Sequence, residues 1–140
     1  MSISIKSKYL PHDGSPRILT ILAAYQDLDF TVNEPKLAFD QYLNGDEIVD
    51  LGNMNTLQLC SVRQYFNTCS NGLFTPQFDV VGPVKLPQDM EYYGGKEAGG
   101  SDDKFYQLCK DAYQAVKDSV DDWSLYDNDN DGNVELVCII

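Results

Sequence analysis

The run RILTILAAY, residues 17–25, constrains the fold of this chain more than any other stretch. It is short, apolar and without strict alternation, so it reads as a strand buried on both faces. A strand of that kind belongs to a mixed or parallel sheet, and such a sheet needs helices to cover it. Before it lie sixteen residues broken by Pro11, Gly14 and Pro16, read as a flexible lead-in. Residues 17–140 then form one domain, and 140 residues are enough for a real core.

Helix signals follow in the expected places. Asn33-Glu34-Pro35 opens a first helix, with Asn33 as cap and proline in the first turn, and Asn44-Gly45 closes it. Residues 46–57 read as a polar loop. Leu59, Val62, Phe66 and Cys69 recur at helical spacing, predicting a second helix over 58–70 that Asn71-Gly72 stops. FTPQFDVVGPV, residues 74–84, is extended, and Pro76 and Pro83 place it at a sheet edge. EYYGGKEAGG reads as a glycine-rich loop. Ser101-Asp102-Asp103 predicts the cap of a third helix with a stripe of Phe105, Leu108, Cys109, Ala112 and Val116. The chain closes on VELVCII, a strand too apolar to lie exposed and therefore expected inside the sheet. Stopping there, with no polar tail, predicts a domain cut short. The order β-α-α-β-α-β gives an α/β fold with helices packed on a mixed sheet.

Charge and motifs exclude several function classes. Ten Lys+Arg against 22 Asp+Glu leave a net charge of −12, which repels phosphate backbones and anionic membrane surfaces. Nucleic acid is thus not an expected partner. No apolar run approaches the ~20 residues of a membrane span. The first residues, MSISIKSKYLPHDG, lack the apolar segment of a signal peptide. The four cysteines, Cys60, Cys69, Cys109 and Cys138, form no CxxC pair, so a zinc ribbon is not expected. Each lies among apolar residues, which favours buried free thiols, with one or two disulfides as the alternative. Cys138 stands third from the end, so VCII is not a prenylation box.

The stretch YDNDNDGNVE carries the clearest chemistry. Asp127, Asp129 and Asp131 alternate, and Gly132 follows at the sixth place of a calcium-loop scheme. Asn133 at the seventh offers its backbone carbonyl. The twelfth place holds Cys138 rather than a bidentate Glu, and no helix follows, so this is not an EF-hand. Glu135, at the ninth, is the substitute carboxylate. Asp127, Asp129, Asp131, Asn133 and Glu135 are therefore the candidate metal ligands. The plain alternative is an acidic turn, but closely spaced carboxylates repel unless a cation lies between them. Losing the twelfth ligand predicts a weak site of the extracellular kind, with Kd ~10⁻⁴ M.

Catalytic machinery is missing. The single histidine, His12, lies in the lead-in, and no HExxH is present, so a zinc hydrolase site cannot be completed. A histidine-based triad would have to use the same residue. GGKEAGG lacks the GK[ST] ending of a phosphate loop. Glu91, Tyr92 and Tyr93 could reach a pocket, but aromatics before a Gly-Gly turn more often pack.

CSVRQYFNTCSNGLFTPQFDVVGPV, residues 60–84, resembles the signature of the immune inhibitor A family of secreted metalloendopeptidases. Ser61, Val62, Arg63, Tyr65, Phe66, Ser70, Gly72, Phe74 and residues 78–84 carry the likeness. Tyr93-Gly94 and the aspartate loop from Tyr126 follow in the same order, and LAFDQYLNG resembles the helix upstream. Cys60, Gln64 and Glu135 depart from the family pattern, and Gln64 loses an acid there. The resemblance implies a zincin-like fold, of which this chain is the N-terminal half-domain. It also implies a secreted or cell-surface protein that acts on protein or peptide substrates. The HExxH helix of the family comes after the strand that here is VELVCII, so Zn²⁺ is expected only in a longer parent. Residues 74–81 are then the expected substrate-side edge, and the calcium is structural. The alternative is a non-catalytic, calcium-stabilised extracellular binding module.

Overall fold

The computed structural model describes residues 9–46, 60–95 and 104–140. A parallel three-stranded sheet in the order β2-β1-β3 lies at its centre, with β1 at Arg17–Ala24, β2 at Gln77–Lys85 and β3 at Val137–Ile139. Two crossovers join the strands. The first carries α1, Pro35–Asn44, and α2, Val62–Cys69. The second carries α3, Met90–Gly94, and α4, Phe105–Val116, and then a 3-10 turn at Trp123–Tyr126. The sheet is parallel throughout rather than mixed, because each strand returns through a helical crossover instead of a hairpin.

β1 behaves as its composition demands. Residues 18–22 are all buried, and their alternation divides the core in two. Leu19 and Ile21 pack with Leu86, Tyr93, Ala112, Val116 and Tyr126 on one face. Ile18 and Leu22 pack with Leu43, Phe78 and Val80 on the other. Thr20 faces the second cluster fully buried, and its hydroxyl has no hydrogen-bond partner among the described residues. A buried orphan hydroxyl subtracts from stability.

Several local expectations change. The first helix starts after Glu34, which is left-handed at φ 48°, and no side chain caps it; Asn33 does not. The second helix begins at Val62 rather than 58, because the Ser61 hydroxyl accepts the Gln64 N–H while Gln64 accepts the Ser61 N–H. This reciprocal cap is also what Gln64 does where the resembled family has an acid. Of the expected stripe, Val62 packs against the second core cluster, Phe66 and Cys69 are exposed, and Leu59 lies outside the described residues. Asn71 and Gly72 stop it with positive φ, as expected. Residues 91–94, expected in a loop, belong to α3. Phe105 is 66% exposed and leaves the core stripe of α4 to Leu108, Ala112 and Val116. The polar loop over 47–57 and the cap at Ser101-Asp102-Asp103 lie outside the described residues.

The strand ends differ from expectation as well. β2 is an edge strand, as its prolines required. β3 pairs with β1 alone among the described residues, so it too is an edge rather than an interior strand. The central place goes to β1, whose longer apolar run can be buried on both faces. The lead-in is held down from Gly14 onward: Gly14 donates to the Leu73 carbonyl at 2.8 Å and accepts the Thr75 N–H at 2.8 Å. Leu10 also reaches the second core cluster. All four thiols are free, with Cys60 and Cys69 exposed and Cys109 and Cys138 half-buried, so the expectation of burial fails for the first pair.

Candidate metal centre

The aspartate loop hangs between the 3-10 turn and β3. Its path is set by backbone conformation: Asn130 at φ 57° and Gly132 at φ 90° take left-handed geometry, which turns the chain back on itself. The Asp127 carboxylate accepts from the Asp131 N–H at 3.0 Å and the Gly132 N–H at 2.8 Å. Asp129 also accepts from the Asp131 N–H, at 3.1 Å. Glu135 reaches back across the loop and accepts from the Asn128 N–H at 3.2 Å and its Nδ2 at 3.0 Å.

Three of the five expected ligands converge. One carboxylate oxygen each from Asp127, Asp129 and Glu135 lies within 4.8 Å of the others. Oxygens that share a calcium ion sit ~2.3–2.6 Å from it, so they can lie at most ~5 Å apart. The triangle therefore fits one such ion. Asp131 instead accepts from its neighbour Asn133, at 2.9 Å from the backbone N–H and 3.0 Å from Nδ2. These two side chains bond each other and stand outside the convergent group. The donor set is all oxygen, the kind that hard cations take.

The site is tied to the sheet by a polar group that sequence reading missed. Asn128 accepts the Arg17 N–H at 3.0 Å and donates to the Arg17 carbonyl at 3.3 Å. Arg17 in turn grips Asp79 on β2, 2.6 Å at the closest. Its guanidinium lies 5.9 Å from the centre of the Tyr126 ring. No sequence pattern links residues 17, 79, 126 and 128; the parallel register assembles them.

Tyr126 carries a chemical signature of this environment. Burial first, and then the neighbouring Asp79 carboxylate, push its phenol up to about 12, against partial opposition from Arg17. The folded chain thus holds this proton more tightly than the unfolded chain, where tyrosine titrates at ~10. The stability it contributes is intact below pH ~10 and is lost as pH rises towards about 12. Alkaline titration of tyrosinate absorbance is expected to show a late phase that Tyr126→Phe diminishes, the remainder coming from Tyr93, which burial and Asp111 also push up; an unchanged profile in that variant would refute the assignment.

Elsewhere the expectations divide. Tyr93 is core: its hydroxyl donates to Asp111 at 2.7 Å, so it packs rather than serving a pocket. Arg63 pairs with Asp46, in the loop after α1. His12 is exposed. The expected substrate-side edge is closed at Phe78, because Asn44 donates to its carbonyl at 2.7 Å and accepts its N–H at 2.9 Å. No helix among the described residues is long and apolar enough to cross a membrane. No protein-family model matches this chain, and no curated protein matches it at a significant level.

Proposed function

We propose that this chain is the N-terminal scaffold portion of a secreted zinc metalloendopeptidase, braced by a structural calcium ion at Asp127, Asp129 and Glu135. The observation that carries the calcium assignment is the convergence of those three carboxylates where the chain enters β3. Asp131 and the backbone carbonyl of Asn133 are the other candidates from the same loop, with the Asp131 carboxylate accepting from Asn133. The peptidase reading is supported by the residues of the family likeness. Ser61 to Phe74 coincide with a capped helix and its glycine stop, and residues 78–84 coincide with an edge strand.

The chain's own residues do not fit a catalytic zinc ion. One exposed histidine cannot supply the two or three that such a site takes. The peptide-bond chemistry, with its zinc-bound water and glutamate base, belongs in this proposal to sequence beyond this chain, as do the protein or peptide substrates. This portion supplies the sheet on which that site would be mounted. By calorimetric titration, calcium is expected to bind with Kd ~10⁻⁴ M. The same preparation is expected to show no peptidase activity. Activity that purifies with the chain and responds to its point variants would overturn the scaffold role, and absence of calcium binding would overturn the brace.

A further inference from the structure

We propose that Asn128 transmits calcium occupancy into the sheet, so that the start of β1 and Asp79 on β2 become calcium-responsive. The inference rests on the calcium reading above and names what that ion regulates. The pairing of β1 with β3 covers only Leu19 to Ile21. At Arg17 the side-chain amide of Asn128 takes the place of a strand, accepting the N–H at 3.0 Å and donating to the carbonyl at 3.3 Å. The Nδ2 that makes the second of these bonds also donates to Glu135 at 3.0 Å. It also donates to the Tyr126 carbonyl at 3.2 Å, so one planar amide is held on the loop side by a candidate calcium ligand and the Tyr126 backbone, and on the other side by β1. The path continues through the Arg17 guanidinium to Asp79, with Nε at 2.8 Å.

Charge gives the path two arrangements. With calcium in place, Glu135 is fixed and the Asn128 amide is held in register with Arg17. Without it, three carboxylates within 4.8 Å repel, Glu135 is released, and the amide keeps the Tyr126 carbonyl as its acceptor on the loop side, which relaxes its register with Arg17. A change at the loop then reaches β1 by discrete hydrogen bonds rather than by general loosening.

Amide hydrogen exchange on the whole chain, in calcium chloride and in chelator, tests this. Exchange at Arg17 is expected to slow about tenfold more with calcium than exchange at Ala112, which lies in the core of α4 and reports global stabilisation. In Asn128→Ala, calorimetry is expected to show calcium still binding while the extra protection at Arg17 disappears. In the unmodified chain, the Asn128 side-chain amide resonance is expected to shift on calcium addition, a readout that needs no variant to fold. If calcium binds but Arg17 slows no more than Ala112, the coupling is wrong. If calcium does not bind at all, the calcium reading itself fails.

Discussion

Chelating calcium is expected to lower the melting temperature of this chain by roughly 5–8 °C. An ion that binds only the native state stabilises it by RT ln(1 + [L]/Kd); with Kd ~10⁻⁴ M and ~2 mM calcium, this is about 1.8 kcal/mol. For a domain of this size each kcal/mol moves the melting temperature by roughly 3–4 °C. The variant Asp127→Asn separates the ion from the loop. Its amide oxygen can still accept one of the two backbone N–H bonds that Asp127 takes from Asp131 and Gly132, but the charge is gone. In calcium it is expected to lose the ion's contribution. In chelator it is expected to be no less stable than the parent, because one of three mutually repelling carboxylates has been removed. Scanning calorimetry of both proteins in both buffers decides the matter. An unchanged melting temperature on chelation would remove the calcium site, and an equal loss in both buffers would mean that Asp127 is only a turn residue.

The contrast between what the residues announced and what they concealed follows from the range of each interaction. β1 was legible because burial on both faces leaves an uninterrupted apolar run. β2 was legible as an edge because proline cannot donate into a ladder. The loop was legible because its ligands are near neighbours in sequence and its left-handed turns fall at Asn130 and Gly132. The helix stripes were legible only in part. Helical spacing gives the phase of Phe66 and Phe105 but cannot say how much of each ring its neighbours cover: Phe66 meets Phe74 in a T-shaped contact and stays exposed, as Phe105 does. The two asparagine amides were illegible. Asn44 on Phe78 and Asn128 on Arg17 act across 34 and 111 residues, and each substitutes for a strand that the sheet does not provide there. Asn44 was read as a helix stop, which it also is, at the end of α1. Within the loop, alternation groups Asp131 with the other candidate ligands, and sequence spacing alone does not show that its carboxylate accepts from Asn133 while those of Asp127, Asp129 and Glu135 converge.

Leu19→Ala is expected to cost about 3–5 kcal/mol. Leu19 is fully buried in the central strand and packs against Leu86, Tyr93, Ala112, Val116 and Tyr126, which come from four separate segments after β1. Rigid strands flank it, with Asp79 beside it on β2 and Val137 on β3, so the backbone cannot close the gap by shifting one neighbour. Truncation therefore loses the transfer energy of the removed atoms and leaves a void as well. A domain of this length holds about 7–20 kcal/mol in total, so the loss is a large fraction of it. Phe105→Ala is the matched control. The spacing of α4 predicts Phe105 in the core, but Phe105 is 66% exposed, and its truncation is expected to change stability by less than ~0.5 kcal/mol. In urea denaturation the first variant is expected to lower the midpoint sharply with the slope unchanged, and the second to leave both where they were. If Phe105→Ala proved the costlier of the two, the division of the core between the two faces of β1 would be wrong. If Leu19→Ala cost under ~1 kcal/mol, the central strand would not be the element that holds the two layers of helices together.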